Sequence, residues 1–196
     1  MKTQLIVAGH GGQGVLELGN YVAYLGMLKG LHVAYTPSYG PETRGGKVKC
    51  YVVTSADEID SPIAEDTDFL VVMNIPSMDY VPLLKSGGTL LVNSSLISVG
   101  VERGDIDVLK VPATEIAMTM RNEAEGPQDT RILANSVMFG VYLALTQQEP
   151  DEELMRRVYA HFLTDRKAGL IGLNIAAVKR GYEFARAAGP MVEYGS

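Results

Sequence analysis

Short strand-like runs punctuate the first two-thirds of the chain: Leu5-Ile6-Val7-Ala8, apolar with no alternation, then Val48 to Thr54, Phe69-Leu70-Val71-Val72-Met73 and Thr89-Leu90-Leu91-Val92-Asn93. A run of this kind suits a strand covered on both faces, as in a parallel sheet. Between the runs the period changes. Val15, Leu18, Val22 and Leu25 recur at steps of three and four, which predicts a helix stopped at Lys29-Gly30. The next strand is expected at about Leu31 to Thr36, and Pro76 to Leu84 reads as a short helix opened by proline. Ser86-Gly87-Gly88 then turns the chain into the Thr89 run, and Asp107 to Val111 is a last short strand before a helix from about Ala113 to Met120. This succession predicts an α/β fold: a Rossmann-like, open, mostly parallel sheet with flanking helices and right-handed crossovers.

The final third reads as helical. From Thr130 to Gln147, Leu133, Val137, Val141 and Leu145 form a stripe that Ile132, Met138 and Phe139 widen, so this helix is expected to be well buried. Asp151, Glu152 and Glu153 open another helix with favourable charge in its first turn, and Leu154, Val158 and Phe162 mark its inner face. A last helix is expected from about Gly172 to Ala188, stopped by Gly189-Pro190. The polar stretch Arg121 to Asp129 reads as a mobile loop. With no repeat or linker in view, residues 1–196 are expected to form a single α/β domain.

Composition narrows the class. With 196 residues, 46% of them hydrophobic, the chain can bury a full core. No apolar run approaches the roughly 20 residues of a membrane span. The N-terminus runs directly into a strand, so a cytoplasmic protein without a membrane partner is expected. A formal charge of −6 argues against a groove that tracks nucleic-acid phosphates. The lone Cys50 excludes an internal disulfide and a self-contained iron–sulfur cluster, and suits a small buried apolar side chain.

Two glycine-rich segments hold the candidate chemistry. Gly9-His10-Gly11-Gly12-Gln13-Gly14 sits at a strand-to-helix turn with the G-x-G-x-x-G spacing, which lets backbone N–H groups and a helix N-terminus face an anion. A dinucleotide site also needs an acidic ribose hook near the end of the next strand, roughly 20 residues on. Tyr35, Thr36 and Pro37 stand there instead. Arg44 and Lys47 keep a 2′-phosphate of NADP in play, and a ligand-free tight turn is the alternative. The second segment is Ser38-Tyr39-Gly40-Pro41-Glu42-Thr43-Arg44-Gly45-Gly46. Its glycines allow close backbone approach, Arg44 offers a forked donor to an anion and Tyr39 an amphipathic ring, against the alternative of a long crossover loop packed on its own protein.

No self-sufficient active site is visible. His10, His32 and His161 form no zinc pattern, and neither G-x-S-x-G nor a P-loop occurs. His10 lies inside the first loop, as a functional group or as a solvent-facing filler. Gly104-Asp105-Ile106 lacks the second glycine of the Gly-Asp-Gly that begins a thiamine diphosphate site. No catalytic or metal-ligating residue is expected on this chain.

Both glycine segments, Ser61-Pro62 before the Phe69 strand, Lys85 to Ser95 and Asn135 at the start of the long helix together resemble the gamma subunit of 2-oxoacid:ferredoxin oxidoreductases, across essentially the whole chain. The resemblance implies an accessory subunit of an enzyme that decarboxylates a 2-oxoacid, with 2-oxoglutarate the family-level choice, and forms an acyl-CoA while reducing ferredoxin. It implies alpha and beta subunits and a ferredoxin-like delta subunit as partners. Thiamine diphosphate, iron–sulfur clusters and coenzyme A belong to the assembled enzyme, with none held firmly by this chain, which is inactive alone. On that reading Gly9, Gly11, Gly12, Gln13, Gly14, Ser38, Tyr39, Gly40, Pro41, Arg44, Gly45 and Gly46 are the cofactor-binding or interface residues. An indolepyruvate:ferredoxin oxidoreductase small subunit and a free-standing NADP-binding oxidoreductase are the alternatives.

Overall fold

The computed structural model describes residues 2–40, 46–63, 66–120, 130–163 and 165–188, with the side chains of residues 130 and 165–167 outside that description. The expectations for Arg121 to Asp129 and for the Gly189-Pro190 stop lie outside the described residues. After Val111 the chain passes from one compact unit into a second.

The first unit is a six-stranded sheet: β1 (Lys2–His10), β2 (His32–Tyr39), β3 (Lys47–Ser55), β4 (Thr67–Val72), β5 (Leu84–Asn93) and β6 (Asp107–Val111), in the order β2-β3-β1-β4-β5-β6. β1, β4, β5 and β6 pair in parallel, whereas β3 runs antiparallel to both β1 and β2. The sheet is therefore mostly parallel, as expected, with one reversed strand. That strand departs from a pure βαβ succession because β2 and β3, consecutive in sequence, are antiparallel neighbours in the sheet. The apolar run of β1 is explained directly: Leu5 to Ala8 are all fully buried.

Each face has its own cover. α1 (Val15–Leu28) lies on β2 and β3, and a Cβ at Gly19 would overlap Cys50 Sγ and come to 2.9 Å from Tyr35 Cε2, so the helix approaches the sheet closely at that glycine. On the opposite face Ile6, Ala8, Leu70, Val72, Leu90, Val92 and Val108 pack with Val81 and Leu84. Val81 belongs to a 3₁₀ segment, Ile75–Leu83, which occupies the predicted Pro76 helix. Pro82 lies inside this segment and has no N–H to donate, which disfavours the α-helix expected there.

The second unit is helical: α2 (Ala113–Thr119), α3 (Ala134–Leu145), α4 (Glu152–Phe162) and α5 (Ile171–Ala187). α3 is buried on every side through Leu143, matching its wide apolar stripe. α4 is capped by Asp151, whose carboxylate accepts from Leu154 N–H at 2.8 Å, and Glu152 reaches Lys179 of α5 at 2.7 Å.

Candidate functional site

The site is built by strand register. Gly9 pairs with Val48 and Val48 with Tyr39, so the ends of β1, β3 and β2 lie in one row. Gly11 N–H donates a long hydrogen bond to the Gly46 carbonyl, 3.4 Å, and Gly40 N–H closes the hairpin on the Lys47 carbonyl at 2.7 Å. The two glycine segments therefore meet at the carboxyl end of β1. This is the side on which open α/β sheets take their ligands.

Gly12 and Gly14 shape the first loop. Their φ angles are +94° and +71°, values that L side chains rarely adopt. Gly14 caps α1 with no side-chain hydrogen bond, so the N–H groups of the first turn, which have no acceptor within the helix, receive none from a cap side chain. A Cβ at Gly12 would meet nothing within 4 Å, which leaves open space for another molecule's backbone or phosphate. Glu17 stands in the same turn and already answers part of the helix dipole. Any anion held here relies on directed N–H groups more than on net positive field.

Side chains around the loops add cations and rings. Lys47 pairs with Asp79 at 2.8 Å, and Lys49 Nζ lies 4.4 Å from the Tyr80 ring centroid and 5.1 Å from that of Tyr51. Tyr39 is 68% exposed at the end of β2, and Ile75 and Leu96, just past the ends of β4 and β5, are each 48% exposed. Large apolar side chains thus recur along the carboxyl edge of the sheet. His10 is exposed, with its ring Nδ1 3.2 Å from the Gly11 carbonyl and its backbone N–H donating to Gln13 Oε1 at 3.0 Å.

Ser38 falls within β2 beside Tyr39, rather than in the loop. Pro41, Arg44 and Gly45 lie outside the described residues. Asn74 and Ser77 are site residues that the sequence reading missed: Asn74 Oδ1 accepts from Ser77 N–H at 3.0 Å and from Ser77 Oγ at 2.6 Å, capping the 3₁₀ segment. An Asn two residues before a proline and three before a serine is a capping signal that was available.

The strand order bears on the dinucleotide reading. In a dinucleotide-binding half the second strand lies beside the first, carrying the ribose hook. Here β3 occupies that place, and β2 lies one strand further out. Nor do the residues fit a resident cluster or thiamine diphosphate. Cys50 is the single cysteine of the chain and is fully buried, and burial pushes its thiol up to about 12. Among the described residues no three His, Cys, Asp or Glu side chains are grouped for a metal. Asp105 is engaged by Arg103 and Ser86. In the second unit an open groove of about 580 Å³ runs along α2 and α5, lined by Ile116, Thr119, Arg180 and Phe184, and none of the candidate residues reaches it.

The chain belongs to the pyruvate ferredoxin/flavodoxin oxidoreductase family, whose model matches residues 4–184. It is 36% identical over 94% of its length to the ketoisovalerate oxidoreductase subunit VorA of Methanothermobacter thermautotrophicus, but spans only 37% of that protein. It is 33% identical to the 2-oxoglutarate synthase subunit KorC of Methanocaldococcus jannaschii, covering 95% of each chain. Among solved structures, the keto/oxoacid ferredoxin oxidoreductase gamma subunit from Geobacter sulfurreducens matches with a TM-score of 0.75 at 28% identity, over 96% of this chain and 98% of that one.

Proposed function

We propose that the chain is the gamma-type subunit of a 2-oxoacid:ferredoxin oxidoreductase, with 2-oxoglutarate as its first candidate substrate. Two of its relatives bear names of this class, one acting on ketoisovalerate and one on 2-oxoglutarate. The assembled enzyme releases carbon dioxide from the 2-oxoacid on thiamine diphosphate held by alpha and beta subunits. It passes an electron pair through iron–sulfur clusters to ferredoxin, and coenzyme A supplies the thiol that accepts the acyl group. This chain contributes no residue to bond breaking. Its part is to turn the His10 to Gly14 loop and the Tyr39 to Gly46 segment toward its partner subunits and the phosphate-bearing coenzyme. A cytoplasmic setting follows from partners of this kind.

The observation that carries this reading is the junction of Gly11 with Gly46, which joins both glycine segments into one surface with Gly12 open above it. The placement of Tyr39, Ile75 and Leu96 along the same edge supports a subunit contact there, since tyrosine and exposed apolar side chains concentrate at interfaces.

The test is Gly12→Val in the co-expressed complex, assayed with a panel of 2-oxoacids, coenzyme A and a low-potential acceptor. A side chain in the open space is expected to raise the KM for coenzyme A at least tenfold with subunits still co-purifying. Unchanged KM and unchanged assembly would leave the loop a mere turn. Arg44→Ala in the same assay isolates the guanidinium expected in the hairpin connection. Stoichiometric NADPH binding by the isolated chain would instead favour the free-standing oxidoreductase.

A further inference from the structure

The first glycine of the loop is filled from within. A Cβ on Gly9 would come to 2.7 Å from Gln13 Oε1, 2.7 Å from Val15 Cγ2 and 3.0 Å from Met73 Cβ. The missing side chain thus makes room for the Gln13 carboxamide, which folds back beneath its own loop rather than toward a ligand. Gln13 Oε1 accepts from His10 N–H at 3.0 Å and from Asn74 Nδ2 at 3.2 Å, and Gln13 Nε2 donates to the Met73 carbonyl at 2.9 Å. Both acceptor positions of the oxygen are in use, and one of the two amide hydrogens. Asn74 is 8% exposed and continues the chain to Ser77 through its own Oδ1. Beyond the backbone bond from Met73 N–H to the Ala8 carbonyl at 2.9 Å, these side-chain amides tie the loop after β1 to the chain that leaves β4.

We propose that Gln13 and Asn74 are positioning residues: they form an amide relay that fixes the His10 to Gly14 backbone to the start of the Ile75–Leu83 segment, so that the two move as one. The relay rests on the reading of the loop as a ligand-facing surface. Its consequence is a coupling. Ile75 is half exposed next to Asn74, so a partner seated on Ile75 biases the geometry of Gly12, and a ligand at Gly12 biases partner docking by the same factor.

The experiment is hydrogen–deuterium exchange on the full chain within its complex, for wild type, Gln13→Leu and Asn74→Ala. Asn74→Ala removes no atom that touches His10 N–H, yet the relay requires exchange across His10 to Gly14 to rise about tenfold in that variant. Gln13→Leu leaves the Asn74 cap chemically whole, yet exchange at Ser77 is expected to rise as well. Gln13→Glu, which keeps the two accepting contacts, is expected to restore protection at His10. Exchange that rises only at the mutated loop overturns the relay. In parallel, the KM for coenzyme A is expected to increase in Gln13→Leu by more than kcat falls. If Gly12→Val raises that KM and Gln13→Leu does not, the relay fails and the ligand-facing reading stands. If Gly12→Val has no effect, that reading fails, and the remote exchange response alone decides the relay.

Discussion

Gly140 of α3 and Gly181 of α5 face each other reciprocally: a Cβ on Gly140 would overlap the Val178 carbonyl, and one on Gly181 the Val137 carbonyl. The obstacle in each case is backbone, which cannot swing aside as a side-chain tip can. Ala in place of Gly favours a helix by about 1 kcal/mol, whereas overpacking a closed interface costs about 1–3 kcal/mol and more where backbone must shift. The steric term wins. Gly140→Ala and Gly181→Ala are each expected to lower unfolding free energy by about 3 kcal/mol in urea titrations, with the double variant less than additive because one separation of the helices relieves both clashes.

A buried polar chain lies within the same helical unit. Tyr159 Oη donates to Ser136 Oγ at 2.8 Å, Ser136 Oγ donates to Asn174 Oδ1 at 2.7 Å, and Asn174 Nδ2 donates to the Leu170 carbonyl at 2.9 Å. Tyr159 and Ser136 are fully buried, so water does not replace a lost partner cheaply. Tyr159→Phe removes the terminal donor and is expected to cost about 1 kcal/mol, whereas Ser136→Ala strands groups on both sides and is expected to cost about 2–4 kcal/mol. Thermal unfolding of the two variants checks the order. Equal losses would mean that the chain does not act as a chain.

The sheet was legible where burial leaves no choice of residue. Leu5 to Ala8 and Phe69 to Val72 read as covered strands because both faces of the sheet are packed, and α1 read from its spacing. The reversal of β3 was not legible, because glycine and proline between two apolar runs serve a hairpin and a crossover equally well. The G-x-G-x-x-G spacing located the loop but not the direction of Gln13, since spacing carries no information about side-chain torsions. Gly140 and Gly181 passed unnoticed for a related reason. Within a helical pattern a glycine reads as a weakness, and the partner that makes it necessary lies 41 positions away in the sequence. At the site itself Asn74 and Ser77 entered only with the 3₁₀ segment.

Cys50 is predicted to be chemically silent in the native protein. Its thiol is fully buried, with Sγ 3.6 Å from the Val15 carbonyl, and burial pushes its pKa up to about 12. A thiol reagent at pH 8 is expected to label it only under denaturing conditions. The raised value also sets a base-side slope. The folded state keeps the proton where the unfolded thiol has lost it, so this stabilisation is whole below the unfolded value of about 8.5 and fades as pH rises toward the folded one. Cys50→Ala is expected to lose less stability than wild type between those limits, and parallel slopes in the two proteins would refute the assignment.

Arg103 and Asp105 carry the opposite pH signature at the turn into β6. Arg103 Nε and Nη2 donate to the two carboxylate oxygens of Asp105 at 2.8 and 2.5 Å, while Nη1 reaches the carbonyls of Val81 and Leu84 at 3.1 and 2.7 Å. The Arg103 guanidinium first, and the Ser86 hydroxyl second, hold the Asp105 carboxyl well below the usual carboxylate range. A depressed value means that the folded state binds fewer protons than the unfolded chain. The stabilisation is therefore present above the unfolded value of about 3.9 and is lost as pH falls through the folded one. Asp105→Asn removes the charge and is expected to lower the melting temperature by a few degrees at pH 7. That gap should narrow steadily as a pH series runs below about 4, because wild type then loses what the variant never had. High salt is expected to shrink the gap at pH 7 only in part, since the fork also anchors two backbone carbonyls that salt does not screen. A gap that stays constant from pH 7 down to the acid limit would show that Asp105 acts through packing alone.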